Sequence, residues 1–254
     1  MKEHIKVIIP AYNEEDAIAK VIKEIPTIVN EIIVVSNNST DNTEINASKA
    51  GATVLKEARK GYGYACLKGM EYIASLDPKK QPYIVVFLDG DYSDYPEQLT
   101  EIILPIVSDN IDFVIGSRVK RFRETGSMTP QQVFGNWLAT FLMNLIFGAK
   151  YSDLGPFRAI KYHKLLQLNM QDKTYGWTVE MQLKALKQKL TYAEIPVKYR
   201  NRIVVSKVSN LLNKEEEARS ETVKQLTDLA LLAQGMLKGE ALNRFIERNI
   251  EHIA

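Results

Sequence analysis

Asp89-Gly90-Asp91 sets two carboxylates on either side of one glycine, directly after the apolar run YIVVFL at 83–88. Carboxylates are costly to bury unpaired, so a pair at the end of a buried strand calls for cations or hydrogen-bond donors. The carboxyl end of a strand in an open parallel sheet is also where ligands bind. Hard divalent cations take carboxylate oxygens, and Mg²⁺ keeps waters while bridging to substrate phosphates. Asp94 is close enough in sequence to contribute from the following turn. The competing reading is a polar turn whose aspartates cap the helix that begins near Pro96. An acid-Gly-acid turn alone does not separate the two.

Loops after other apolar runs point to the same edge. Pro10-Ala11-Tyr12-Asn13-Glu14-Glu15 follows Ile5–Ile9, and Ser36-Asn37-Asn38-Ser39-Thr40-Asp41 follows Glu31–Val35. Each sets hydrogen-bonding side chains beside a helix N-terminus, where amide donors favour an anion. For Asn38, Ser39 and Thr40, caps and turns account for the residues equally well. Gly61-Tyr62-Gly63-Tyr64 opens another helix, but neither the dinucleotide-binding glycine pattern nor the P-loop occurs.

The elements that must position these loops alternate. Short strands are expected at Ile5–Ile9, Glu31–Val35, Ala52–Leu55, Tyr83–Leu88 and Ile111–Ile115, with helices near 14–25, 40–50, 61–76 and 96–107. Continuous apolar runs suit strands covered on both faces, and repeated βα units imply a parallel sheet with right-handed crossovers. A polar, basic connection at 117–133 leads to a helix at 134–147. There Phe134, Trp137, Leu138, Phe141, Leu142 and Leu145 recur at spacings of three and four, which predicts a core-facing stripe. A helix at 175–189 and a strand near Leu190–Val197 follow, and a tail from Leu211 carries a helix at about 221–237.

The chain has 254 residues, 45% apolar and 25% charged, with 33 Lys and Arg against 31 Asp and Glu. This is the composition of a soluble globular chain with a sizeable core, and it excludes disordered and collagen-like classes. A net charge of +2 gives no support for a nucleic-acid binder. The single Cys66 excludes an intramolecular disulfide and fits a reducing compartment. The N-terminus reads as no signal peptide, and no run reaches the roughly 18 apolar residues of a membrane span. Three scattered histidines make no metal pattern.

Taken together, the motifs resemble the inverting glycosyltransferases of family 2, in particular the dolichyl-phosphate mannosyltransferase-like branch. They run in order: VIIPAYNEE at 7–15, VVSNNSTDNT at 34–43, GYGYAC at 61–66, FLDGDYSDYP at 87–96 and GSR at 116–118. SDLGPFRAI at 152–160, YGWTVEMQLKAL at 175–186, IPVKYRNR at 195–202 and SKVS at 206–209 complete them. The resemblance implies an α/β GT-A fold with a mostly parallel central sheet flanked by helices. Residues 1–210 would form the transferase domain, with a nucleotide-sugar half at 1–116 and an acceptor half at 117–210. A helical extension at 211–254 would follow.

By the same resemblance the donor is a UDP- or GDP-sugar and the cofactor Mg²⁺ or Mn²⁺, with Asp91 as metal ligand and Asp89 near the metal or ribose. Pro10, Ala11, Tyr12, Glu14, Ser36, Asn38, Lys60, Gly61, Gly90, Arg118 and Trp177 would complete the donor site. Arg118 would meet donor phosphate or hold Asp89, and Trp177 would form a sugar or acceptor wall. Arg158, Arg200, Arg202, Ser206 and Lys207 would bind the acceptor or its phosphate. From Lys184 to Lys207 seven basic residues face one acid, Glu194. Inversion places the acceptor oxygen opposite the leaving nucleotide, so a base would be a carboxylate off the metal, Asp153 or Glu180. For Glu180 the alternative is a buried ion pair with Arg158, and for Asp153 a helix cap. A phosphate acceptor would need neither.

Two departures stand out. Ser36 occupies the position where the family carries a base-contacting Asp, and Val205 and the run after Ser206-Lys207 lack the family's glycines. They keep open a second reading, a weakened nucleotide-sugar-binding or scaffold protein. A small or lipid-phosphate acceptor is expected, with a homodimer through the C-terminal helices or a peripheral membrane contact for the tail. The expected location is cytoplasmic or at the inner face of a membrane.

Overall fold

Side chains that are apolar at consecutive positions make strands that need cover on both faces, and the chain supplies it. A computed structural model describes residues 4–203; the expected extension at 211–254, with Ser206 and Lys207, lies outside the described residues. The strands are β1 (Ile5–Ala11), β2 (Glu31–Asn37), β3 (Thr53–Glu57), β4 (Ile84–Phe87), β5 (Phe113–Ser117), β6 (Arg158–Lys161) and β7 (Tyr192–Pro196). They form one sheet in the order β3-β2-β1-β4-β6-β5-β7. Every neighbouring pair is parallel except those of β6, which runs antiparallel to both β4 and β5.

The helices are α1 (Ile18–Glu24), α2 (Thr43–Lys49), α3 (Tyr62–Ser75), α4 (Leu99–Ser108), α5 (Pro130–Phe147), α6 (Tyr162–Leu168) and α7 (Trp177–Lys187). Alternate strand residues feed two cores. Ile8, Ile33, Val35, Phe87 and Ile115 pack with Ala65, Cys66 and Ile73 of α3 and with Val179 and Leu183 of α7. Val7, Ile9, Val34, Val86 and Val114 pack on the other face with Ile18 and Val21 of α1 and Ile102 and Ile106 of α4.

Three expectations need correction. Strand β6 and helix α6 are additional, since the short strand RAIK has charged ends that hide it. Both charges are buried: the Lys161 ammonium donates to Asn110 O at 2.7 Å and to Asp112 at 3.0 Å. Helix α5 starts earlier, at Pro130, behind a capping box made by Thr129 and Gln132. Four of its six stripe residues also face outward, Phe134, Trp137, Phe141 and Leu145 being 48%, 56%, 45% and 66% exposed, while Leu138 and Leu142 meet the core as expected. Ala139, Leu142 and Met143 take the buried side. Periodicity identifies a face of a helix but not which neighbour it meets.

Candidate active site

The carboxyl ends of β1, β2 and β4 meet at one cavity of about 350 Å³. Pro10, Ala11, Tyr12, Glu14, Lys60, Gly61, Asp89, Gly90, Asp91 and Arg202, all expected there, line it. Asn37, Tyr62 and Tyr175 line it as well and were not foreseen.

The β1 loop is held by the turn after β2. Asn13 N donates to Ser39 Oγ at 3.1 Å, Glu14 N to Thr43 Oγ1 at 2.7 Å, and Thr40 N to Asn13 Oδ1 at 2.9 Å. Ser39 and Thr40 therefore act as turn residues, and Asn38 is exposed at positive φ outside the cavity. Ser36 is buried and does not line it. One residue on, the Asn37 amide accepts from Gly61 N at 2.8 Å and donates to Arg59 O at 2.7 Å. That pair ties β2 to the start of α3.

The acidic pair is part of the cavity lining. Asp91 Oδ1 accepts from Ser93 N at 2.9 Å and Ser93 Oγ at 2.6 Å, while Oδ2 faces Arg202 Nε at 3.7 Å. Asp89 Oδ1 accepts from the Tyr62 hydroxyl at 3.0 Å. Behind them Asp94 is buried, and neither of its carboxylate oxygens is hydrogen-bonded among the described residues. Burial, then the charge of Asp91, pushes Glu14 up to about 8 against the pull of Arg202. Burial and Asp91 push Asp89 up to about 7, and burial, Asp89 and Asp91 raise Asp94 well above the carboxylate range.

This surplus of negative charge fits a divalent cation. Among the described residues no three acidic, His or Cys side chains converge on one metal position. Asp91 and Asp89 are the residues that would hold it, and such a two-carboxylate set would leave room for substrate phosphate and water, as Mg²⁺ sites commonly do. Folding raises these pKa values, so the folded chain holds more protons than the unfolded one between about pH 4 and 8, and stability falls as pH rises through that window. Metal binding needs the deprotonated carboxylates and strengthens over the same window. The expected result is a metal-free Tm that declines from pH 5 to 8, with a larger Tm gain from Mn²⁺ plus nucleotide at pH 8 than at pH 5. An equal gain at both pH values would contradict this electrostatic account.

Other expected site residues are placed elsewhere. Trp177 is fully buried, edge-on to Phe87 with ring centroids 5.8 Å apart, and is core rather than a sugar wall. Trp177→Phe is expected to cost about 1–3 kcal/mol in denaturant unfolding while leaving nucleotide affinity unchanged. Weakened nucleotide binding would return the indole to the site. Arg158 is also fully buried; its guanidinium donates to the carbonyls of Leu154, Gly155 and Thr178. Burial lowers it to about 10, and its partners are these carbonyls rather than Glu180.

Arg200 is stacked 3.3 Å over the Tyr92 ring and paired with Glu24 at 2.8 Å, away from the cavity. Arg118 holds Asp153 rather than Asp89. Its Nη2 donates to Asp153 Oδ1 at 2.8 Å, and its Nε and backbone N donate to Oδ2 at 2.9 and 2.6 Å. Glu180 accepts from Gln171 N and Asp172 N at 2.9 and 2.8 Å and pairs with Lys184 at 2.7 Å. Neither Asp153 nor Glu180 lines the cavity.

A mostly parallel sheet with an acidic pair and an arginine around a cavity at its carboxyl edge is the arrangement of a nucleotide-binding α/β enzyme. The family described as Glycosyl transferase family 2 matches residues 6–173, and the chain belongs to that family, as a glycosyltransferase. It is 29% identical over 216 residues to the UDP-N-acetylglucosamine–dolichyl-phosphate N-acetylglucosaminyltransferase of Methanococcus voltae, covering 76% of this chain and 84% of that one. It is also 29% identical over 204 residues to the dolichyl-phosphate hexose transferase of Haloferax volcanii, covering 79% and 84%. The fold matches glucosyl-3-phosphoglycerate synthase from Mycobacterium tuberculosis, solved with Mn²⁺, UDP and glucosyl-3-phosphoglycerate, at a TM-score of 0.66 and 22% identity. That match covers 89% of this chain and 80% of the synthase, and the architecture is GT-A. Among the described residues no helix is long and apolar enough to cross a membrane.

Proposed function

We propose that the chain transfers a sugar, with inversion, from a UDP- or GDP-sugar to an acceptor that is itself a phosphate, of the polyprenyl-phosphate type. The observation that carries the acceptor class is the set of carboxylates facing the cavity. Among the described residues these are Glu14, Asp89 and Asp91, all within the acidic cluster. Asp153 is closed off by Arg118, and Glu180 by two backbone amides. A hydroxyl acceptor would require a base to take its proton. A phosphate oxygen is already anionic and requires none.

In this reading Asp91, oriented by Ser93, and Asp89, oriented by Tyr62, hold Mg²⁺ or Mn²⁺, whose bound state offsets charge on the leaving diphosphate. Arg202 adds a directional donor beside Asp91. The β1 loop, Asn37, Lys60 and Gly61 enclose the nucleoside. Calorimetric titration with UDP-glucose, UDP-N-acetylglucosamine and GDP-mannose, each with and without Mn²⁺, tests the donor class. One donor is expected to bind in the micromolar range only with metal, and labelled sugar should then pass to a polyprenyl phosphate. Absence of binding by all three would favour the scaffold reading. Transfer to a neutral hydroxyl acceptor alone would overturn the acceptor class.

A further inference from the structure

Glu180 stands in the first turn of α7, and its carboxylate accepts from Gln171 N at 2.9 and 3.1 Å and from Asp172 N at 2.8 Å. Lys184, one turn on, pairs with it at 2.7 Å. The segment fixed in this way, 171–174, is folded further by Thr174 N, which donates to Asp172 Oδ1 at 2.7 Å. It lies as a strap on the first turn of α3, where Gly63 N donates to Thr174 O at 3.0 Å and Tyr64 N to Lys173 O at 3.1 Å. Two of the amides that a helix start leaves open are thereby filled by the chain itself.

The approach is close. A Cβ on Gly61 would sit 2.1 Å from Lys173 O, and one on Gly63 2.1 Å from Asp172 O; Gly61 also has φ 144°. Only glycine admits the strap at both positions. Between them stands Tyr62, whose hydroxyl donates to Asp89 Oδ1 at 3.0 Å. A continuous set of contacts thus runs from α7, across the strap and the α3 turn, to the first aspartate of the acidic pair.

We propose that Glu180 is a positioning residue: by holding strap 171–174 on the first turn of α3 it fixes Tyr62, and through Tyr62 the facing of the Asp89 carboxylate in the donor site. The inference rests on the reading of Asp89 and Asp91 as the metal and donor site. It gives Glu180 a role at the donor rather than at the acceptor, which is where a base would act. Groups that orient a metal ligand in this way are worth about 10-fold in metal affinity.

The test uses the full chain and four variants: Tyr62→Phe, Glu180→Ala, Glu180→Gln and the Tyr62→Phe/Glu180→Ala double. UDP and GDP are titrated with and without Mn²⁺, and Tm is recorded for each. Tyr62→Phe and Glu180→Ala are each expected to weaken Mn²⁺-dependent nucleotide binding about 10-fold, and Glu180→Ala, outside the cavity, to leave metal-free binding unchanged. The double variant should be no worse than the stronger single one, since both act along one route. Glu180→Gln retains one acceptor oxygen and should recover part of the loss.

A Glu180→Ala chain with lowered Tm but wild-type Mn²⁺-dependent affinity overturns the proposal, as does additive loss in the double variant. Hydrogen exchange supplies a readout that needs no nucleotide. The Gly63 and Tyr64 amides should exchange at least about 10-fold faster in Glu180→Ala, because opening of the strap exposes them. Unchanged exchange there overturns the proposal whatever the chain binds. A wild-type chain with no Mn²⁺-dependent nucleotide binding would instead defeat the functional reading.

Discussion

Asp91→Ala is expected to remove metal-dependent donor binding and to lower kcat/KM roughly 10³-fold, the loss of about 4 kcal/mol of transition-state stabilisation. The size follows from the position. Asp91 lines the cavity, its Oδ1 is fixed by two donors from Ser93, and its Oδ2 faces Arg202 at 3.7 Å. In the proposed reading Oδ2, which has no short hydrogen bond among the described residues, is the oxygen that would take the cation. The variant also relieves repulsion within the acidic cluster, since Asp91 raises Glu14, Asp89 and Asp94. Metal-free stability should therefore hold or rise while the metal effect disappears. Calorimetry with UDP or GDP, with and without Mn²⁺, reads the first effect, and thermal unfolding reads the second. Metal-dependent affinity equal to wild type would remove Asp91 from the metal site.

The second large effect is on stability. Arg118 and Asp153 form a bidentate pair with side chains 12% and 5% exposed. Removing one partner strands the other charge in the interior, which costs about 3–5 kcal/mol. Arg118→Ala is thus expected to lower Tm by about 6–20 °C for a chain of this size. The cost should depend on pH with a definite sign. Burial would raise the Asp153 carboxyl, but Arg118 outweighs it and holds the group below its ordinary value. The pair's contribution is present at neutral pH and is lost as pH falls through that depressed pKa. In Arg118→Ala the carboxyl is free to take a proton, so the gap to wild type should narrow toward pH 4. Asp153→Asn, assayed well below its Tm, should keep most of its turnover. A loss of turnover without a loss of Tm would restore Asp153 as a reacting group.

The acidic pair was legible because an unbroken apolar run ends on it, and a buried parallel strand must deliver its next residues to the ligand edge. The βα alternation through Ser117 was legible for the same reason. Strand β6 was not: Arg158 and Lys161 are charged in the sequence, and Thr178, Asn110 and Asp112, which help to satisfy those charges, are distant in the chain. Residue chemistry alone also did not place Trp177, Arg158 and Glu180. An indole, a guanidinium and a carboxylate suit a site, yet each is taken up by the core or by backbone groups. Asn37 ends β2, Tyr62 opens α3 and Tyr175 stands just before α7, so they come together only in the folded chain, and only Tyr62 carried a local signal, its place between two glycines. The stripe of α5 shows a further limit, since spacings of three and four give a direction around the helix and no knowledge of what lies there.

The antiparallel strand also sets the order in which the sheet can be completed. β6 lies between β4 and β5, so β5 and β7 reach the rest of the sheet only through residues 158–161. During synthesis at roughly 5–20 residues per second, β5 is made some 40 residues before the strand that must join it to β4. For that interval β4 presents a bare, apolar edge, the kind of template on which nascent chains pair wrongly. Chains that stall or are cut between Ser117 and Arg158 should therefore be sticky and short-lived, and the closing of β6 should be the late, slow step in refolding.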